Sequence, residues 1–201
     1  MAVTASPKVS STIGLKNVVI APLTTDTEEE HTYGAVQAVA GAIEATITPE
    51  NSDPDIQYAD DVEFDVLYPD PKLTFSLKLA DIPLTIQEMI LNNTIDDNGV
   101  LVRSASDKPP YFAVGFNSEK SSGAFRYVWL YKVRAKPVTE TYQTKEGDTV
   151  TRQTGSVEFT AIKRTHDGRY QAVADEGENS FTAEKAATFL DTVYEPTFTQ
   201  T

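Results

Sequence analysis

The chain has 201 residues, of which 40% are hydrophobic and 23% charged, and this balance is typical of one globular domain rather than of a disordered polyelectrolyte. It contains no cysteine, so disulfides, thiolate nucleophiles and cysteine-bound metals are excluded. The formal net charge of −13 disfavours sequence-independent binding of nucleic acid, which requires a basic surface.

Charge is distributed unevenly along the chain. Residues 1–70 carry 13 acidic and 2 basic residues, whereas residues 103–169 carry 7 acidic and 12 basic ones. Two interpretations stay open: the acidic residues only keep the protein soluble, or the two segments attract each other between copies. There is no run of about 18 apolar residues and no signal-peptide core at the N-terminus, so we expect a soluble cytoplasmic product.

Alternation of apolar and polar side chains predicts that most of the chain is β-strand. The alternation is clearest in residues 43–47, 62–66 and 73–79, where we expect one face of each strand to be buried. Further strands are predicted in chain order at residues 17–24, 100–104, 111–117, 125–133, 138–143, 149–163 and 170–174.

The segment 125–133 has an aromatic face. Its alternation places five side chains on that face: Phe125, Tyr127, Trp129, Tyr131 and Val133. Because the opposite face also carries apolar residues, we expect both faces of this strand to be partly covered. The number and spacing of the strands favour a sandwich or barrel.

Two helices interrupt the strands. The first begins at Ile82-Pro83, with proline at a favoured early position, and ends at Asn92-Asn93. The second begins at Thr182, a suitable N-cap, and continues to Glu195-Pro196. The predicted fold class is therefore mainly β: an antiparallel β-sandwich or barrel with one short central helix and a C-terminal helix.

The predicted organisation is one domain with extensions. It consists of an N-terminal arm (residues 1–12), a single β-rich domain (13–194) and a C-terminal tail (195–201). Within the domain, residues 49–61 are acidic, contain two prolines and are predicted to form a long projecting loop.

Catalytic chemistry has little support in the sequence. The two histidines, His31 and His166, are interpreted as surface residues, and no nucleophile elbow or phosphate-binding loop occurs. Asp60 and Asp61, with Glu63 and Asp65, could supply the carboxylate pair of a glycosidase, but alternate acidic positions on a strand describe a solvated face equally well. We expect no catalytic residue, no metal and no cofactor.

Several short segments, taken in order, resemble the major tail (tail tube) proteins of long-tailed bacteriophages over about residues 13–174. The segments are Gly14-Leu15-Lys16-Asn17-Val18, Ala21-Pro22-Leu23, Thr32-Tyr33-Gly34, Ala40-Gly41-Ala42-Ile43, Tyr58-Ala59-Asp60-Asp61, Asp97-Asn98-Gly99-Val100, Lys108-Pro109-Pro110-Tyr111-Phe112-Ala113, Phe125-Arg126-Tyr127-Val128-Trp129 and Val157-Glu158-Phe159. The resemblance implies a structural virion protein made in the host cytoplasm. It also implies stacked, typically sixfold rings around a tape-measure protein, contacts with tail terminator and distal tail proteins, and DNA in transit without specific binding.

On this hypothesis, two sets of residues are candidates for function. The subunit-interface candidates are Glu50, Asp53, Asp55, Tyr58, Asp60, Asp61, Arg126, Lys132 and Arg134. The candidates for the tube lumen, on the polar faces of their strands, are Glu44, Glu63 and Asp65.

The alternative function is that of a carbohydrate-binding adhesion module. Its motive is Trp129 with its flanking tyrosines, since an aromatic face can serve as a platform for sugars. A single tryptophan in an alternating strand is more often a core residue. Formation of rings or tubes would favour the tail protein, and glycan binding by a monomer would favour the adhesion module.

Overall fold

The computed structural model describes residues 10–50, 55–59, 62–140, 144, 154–178 and 180–198. In these ranges the strands are β1 (Thr12–Asp26), β2 (His31–Tyr33), β3 (Gln37–Ala38), β4 (Ala42–Glu50), β5 (Asp55–Ala59), β6 (Val62–Leu67), β7 (Lys72–Leu79), β8 (Thr94–Ile95), β9 (Leu101–Val102), β10 (Tyr111–Lys120), β11 (Phe125–Ala135), β12 (Gly155–Ala161) and β13 (Gln171–Asp175). The helices are α1 (Leu84–Leu91) and α2 (Ala183–Thr188). The predicted fold class, mainly β with a short central helix and a C-terminal helix, is confirmed.

Nine of the described strands form one antiparallel sheet. Its main path runs β2-β1-β10-β11-β12-β7-β4, with β3 paired to β1 and β13 paired to β11. Residues 126–130 of β11 pair with β13, and residues 133–135 of the same strand pair with β12. The sheet therefore divides into two branches along one side of β11.

The sheet curls over a first apolar core. Phe75 on β7 stacks on Phe116 of β10 with ring centroids 5.9 Å apart, although two strands separate β7 from β10 in the sheet order. Neighbouring strands lie about 4.8 Å apart, so this ring contact requires the sheet to fold back on itself. Phe159 and residues of α1 complete this core. A sandwich-like arrangement results.

A second core covers the opposite face of β1, β10 and β11. Tyr127, Trp129 and Tyr131 lie here under Ala186 and Phe189 from the C-terminal region. Trp129 is fully buried, and its indole Nε1 donates a hydrogen bond to the carbonyl oxygen of Phe189 at 3.0 Å. The expected covering of both faces of β11 is confirmed, and Trp129 is a core residue rather than an exposed platform for sugars.

An irregularity in β11 corrects the predicted faces. The β10–β11 register shifts between Phe112, opposite Val133, and Val114, opposite Leu130, so that β11 contains one extra residue. Such a bulge reverses the alternation beyond it. Val133 consequently lies in the first core with Leu130, and not on the face of Trp129 as the uninterrupted alternation predicted.

Other predicted segments differ in extent. Of the predicted strand 149–163, residues 149–153 lie outside the described ranges, β12 covers Gly155–Ala161, and Ile162 and Lys163 are not in a strand. In the predicted strand 138–143, Thr139 makes an isolated bridge with Ser156 and residues 141–143 lie outside the described ranges. The C-terminal helix ends at Thr188 rather than near Glu195, and the carbonyl of the next residue, Phe189, accepts a hydrogen bond from Trp129.

The predicted loop at 49–61 is wrong where the structure describes it. Residues up to Glu50 belong to β4, and Asp55–Ala59 form β5, which pairs with β6. Residues 51–54, 60 and 61 lie outside the described ranges. The described residues 55–59 of this segment thus form the first strand of the β5–β6 hairpin, which we call the hairpin arm.

Candidate assembly surface

The β5–β6 hairpin exposes an apolar surface. Its described side chains include Ile56, Val62, Phe64, Val66 and Leu67, followed by Tyr68, and we call this set the apolar hairpin surface. Phe64 is 74% exposed and Tyr68 79% exposed. The predicted alternation is real, but the apolar face that it predicted to be buried faces solvent.

This exposure is unusual for a folded domain. Strands β5 and β6 form a separate two-stranded sheet, and an isolated hairpin of this size is only marginally stable in water. Contiguous exposed apolar patches are typical of sites that contact another protein. The hairpin is thus the described surface best suited to contact another molecule.

The acidic candidate residues lie on or near this arm. Glu44 is exposed on β4, and Asp65 is exposed on β6, where its carboxylate accepts from the Val66 amide at 2.9 Å. Glu50 accepts a hydrogen bond from Thr74 Oγ1 at 2.6 Å. Six other candidates remain. For Asp55, Tyr58 and Glu63 the structure describes only the strand positions, and Asp53, Asp60 and Asp61 lie outside the described residues.

The three basic candidates have partners inside the chain. Arg126 forms a bidentate ion pair with Asp175, with both contacts at 2.7 Å, and remains partly exposed. Arg134 is exposed and lies over the ring of Tyr111 at 4.1 Å. Lys132 is buried and pairs with Asp26, which argues against a role for this lysine in subunit contacts.

Internal pairing extends to most of the base-rich segment. Ion pairs within the chain involve Arg103, Lys120, Lys136, Lys163, Arg164 and Arg169. Their carboxylate partners neutralise these bases locally, so the described part of the segment 103–169 does not present the basic surface that its composition suggested. These internal ion pairs weaken the interpretation that the acidic segment 1–70 of one copy attracts the basic segment 103–169 of another.

Asp26 is at the centre of one buried ionic group. Its carboxylate accepts from Lys132 Nζ, from the Thr165 amide at 3.0 Å and from the His166 amide at 3.2 Å. Burial would raise the pKa of Asp26, but the hydrogen bonds from Lys132, Thr165 and His166 outweigh it and lower the pKa to about 2. This group ties the end of β1 to β11 and to the turn after β12.

A second ionic group was missed by the sequence interpretation. Arg164 is fully buried and its guanidinium contacts two carboxylates, those of Asp167 and Glu195. Burial alone would lower the pKa of Arg164, and the hydrogen bonds to the two carboxylates raise it instead. The sequence offers only a local turn signal here, the dipeptide Asp167-Gly168, because burial of an arginine depends on partners far away in the chain.

The two histidines, predicted to be surface residues, are half-buried and lie next to each other. The ring of His31 lies against that of His166, with centroids 4.8 Å apart, and His31 Nε2 lies 3.0 Å from Glu195 Oε1. In the part of the chain that the structure describes, no three acidic, histidine or cysteine side chains are grouped to hold a metal ion. None of the described helices has the length and apolar character needed to cross a membrane.

These observations define a class: an antiparallel β-sandwich protein with an exposed apolar hairpin arm. Its sequence matches a family model described as "Phage tail tube protein" over residues 12–195. The chain therefore belongs to the phage tail tube protein family and is a structural protein of the phage tail.

Comparisons with solved structures and with curated proteins add little to this family assignment. A solved chain from the "Cryo-EM structure of the anti-feeding prophage (AFP) baseplate, 6-fold symmetrised" is similar to this one with 12% identity and a TM-score of 0.40. That alignment covers 86% of this chain and 97% of the other. No curated protein matches the sequence.

Proposed function

We propose that this protein is the major subunit of a tail tube: copies close into sixfold rings, the rings stack around a tape-measure protein, and the finished tube conducts DNA into the host. Membership of the tail tube family supports the proposal, and the apolar hairpin surface is the structural observation that carries it. The subunit is made in the host cytoplasm, acts in the virion, and contacts the tail terminator and distal tail proteins at the tube ends. It needs no catalytic residue and no cofactor.

The hairpin arm makes contacts between copies in this proposal. A two-stranded hairpin with an apolar face gains stability when a neighbour covers that face, because apolar area is removed from water. The arm includes the interface candidates Asp55 and Tyr58, and Arg126 and Arg134 extend the contact elsewhere. The N-terminal arm (1–12) also reaches a neighbouring copy, whereas the described residues of the C-terminal tail (195–198) pack on their own domain at 13–194 through Glu195 and Phe198.

An acidic bore follows from the requirement that DNA passes without binding. Each phosphate neutralised by a lysine or arginine adds salt-dependent affinity, and many such contacts would hold the DNA in place. Glu44 and Asp65 are exposed acidic side chains on strands, and with Glu63 they are our candidates for the lumen. Internal pairing of most bases in the described chain is consistent with a wall of low DNA affinity.

Electron microscopy of the concentrated protein tests this function. We expect rings or tubes from the native chain, and a loss of tubes in Phe64→Ser, which removes the largest ring on β6. Val100→Ser changes a comparably exposed apolar residue at the β8–β9 turn and serves as the matched control. Both variants should keep the native circular dichroism spectrum, since neither side chain is buried.

Two results would contradict the proposal. One is a monomer at every protein and salt concentration, with no tubes formed on preformed tail ends. The other is normal tube growth by Phe64→Ser, which would remove the apolar hairpin surface from the contact between copies.

A further inference from the structure

Residues 189–198, which follow α2, lie across the aromatic face of the sheet, and we call them the C-terminal strap. The strap begins where Trp129 Nε1 binds the Phe189 carbonyl. The ring of Phe189 then contacts Tyr127 edge-on at 5.5 Å and Tyr194 at 4.9 Å. Near the far end, Phe198 lies under the guanidinium of Arg169 at 4.8 Å.

One ion pair holds the middle of the strap. Arg164 Nη1 donates to Glu195 Oε1 at 2.6 Å, and Nη2 donates to Glu195 Oε2 at 3.1 Å. The guanidinium also stacks on the ring of Tyr131 at 4.2 Å and is fixed from the other side by Asp167. The arginine is thus held in place by the sheet, whereas the partly exposed Glu195 is the part of the pair that can leave.

Glu195 Oε1 also lies 3.0 Å from His31 Nε2, and Leu190 and Val193 pack on the second core, but the strap has few further attachments. Among the described residues, no backbone hydrogen bond joins residues 192–198 to the rest of the chain, so side chains alone hold this segment. A cleft of about 880 Å³ separates the strap and α2 from β13 and is lined by residues that include Val173, Phe181 and Val193. A segment held by side chains beside an open cleft has a low free energy of local opening.

We propose that the C-terminal strap opens as a unit while the sheet stays folded, and that the Arg164–Glu195 ion pair is the latch that keeps it closed. Opening breaks the bidentate pair and the Trp129–Phe189 hydrogen bond, and it uncovers Tyr127 and Trp129. Asp167 stays with Arg164, so the buried guanidinium keeps one carboxylate partner after the latch opens. The strap is therefore a conformational switch that lies apart from the apolar hairpin surface.

Hydrogen exchange at the indole of Trp129 measures this opening directly. Trp129 is the only tryptophan of the chain, so its indole Nε1–H gives a single NMR resonance. That N–H donates its hydrogen bond to the carbonyl of Phe189, the first residue of the strap. In Glu195→Gln the exchange rate should rise on the order of tenfold or more, because a charge-assisted bidentate pair is lost. Glu184→Gln, an exposed change in α2, is the matched control and should leave the rate unchanged.

A second variant and a second site on the sheet make the test decisive. Tyr194→Ala removes the ring that packs on Phe189 and should also accelerate indole exchange, while the backbone amides of Val114 and Leu130 in the core strands keep their native rates. Unchanged indole exchange in both variants would overturn the proposal. Equal acceleration of the indole and the core amides would also overturn it, since it would indicate global unfolding. Dilute, unassembled protein is used, so the result is independent of tube formation.

Discussion

Asp26 and Lys132 illustrate how one buried carboxylate organises distant segments. In Asp26→Asn, Lys132 would keep its charge in a buried site without a full partner, and the loss of half of a buried ion pair costs about 3–5 kcal/mol. We expect this decrease in the free energy of unfolding, measured with urea. Glu119→Gln is the control, because its pair with Lys16 is largely exposed and contributes under about 1 kcal/mol. Equal losses in both variants would contradict the buried ionic group.

The same group predicts how stability depends on pH. The pKa of Asp26 is about 2 in the folded chain, against 3.8 as its ordinary value, and the hydrogen bonds from Arg126 and Lys120 likewise lower the pKa of Asp175 to about 2. A lowered pKa stabilises the fold fully above about pH 4, and this contribution is lost as the pH falls from 4 towards 2. Melting temperatures should fall across this window, and less steeply in Asp26→Asn. If the melting temperature of Asp26→Asn falls with pH as steeply as that of the native chain, the lowered pKa of Asp26 is contradicted.

Gly115 is required for close packing against Trp129. A Cβ atom at this position would lie 2.8 Å from two ring atoms of the fully buried Trp129, which cannot move aside without displacing the second core. Gly115→Ala should therefore destabilise the fold by about 1–3 kcal/mol, as other overpacked cores do. Gly14→Ala meets only Glu119 Cβ at 3.9 Å and should be nearly neutral in the same denaturation experiment. A neutral Gly115→Ala would show that the tryptophan ring is free to shift.

At the scale of elements, periodicity predicted the strands because a half-buried strand leaves a local record in the sequence. Strands β4, β6, β7, β10, β11 and β13 were all predicted within a few residues. The same pattern did not predict that the apolar face of β6 is exposed. Alternation indicates that a face will be covered, but it does not say whether the covering surface belongs to the same chain.

Other misses have long-range causes. The bulge in β11 moves Val133 to the other core, and it results from pairing with β10 rather than from a local signal. Beyond the early end of α2, the carbonyl of Phe189 accepts a hydrogen bond from Trp129, which is 60 positions away in the chain. The Arg164–Glu195 pair could not be predicted because neither residue has a distinctive local context.

For the whole molecule, the described charges favour repulsion between free copies. The net charge is −13, and most bases of the segment 103–169 are already paired within the chain. Raising the ionic strength from about 0.05 to about 0.5 M screens this repulsion and should promote association through the apolar hairpin surface. Sedimentation velocity at several salt concentrations measures the effect. Dissociation of assemblies by salt would instead support attraction between complementary charged segments.

The pairing of β1 with β10 has a consequence for the synthesis of the protein. Lys16 on β1 binds Glu119 on β10 although 103 positions separate them in the chain. The residues of β1 that follow Lys16 include the buried stretch from Val18 to Ala21. The apolar centre of β1 can pair early with β3, but it lacks its partner strand β10 until more than half of the chain has left the ribosome. Closing such a long loop is entropically costly, and folds dominated by distant pairings fold slowly. We therefore expect the β10-facing side of nascent β1 to depend on protection by chaperones.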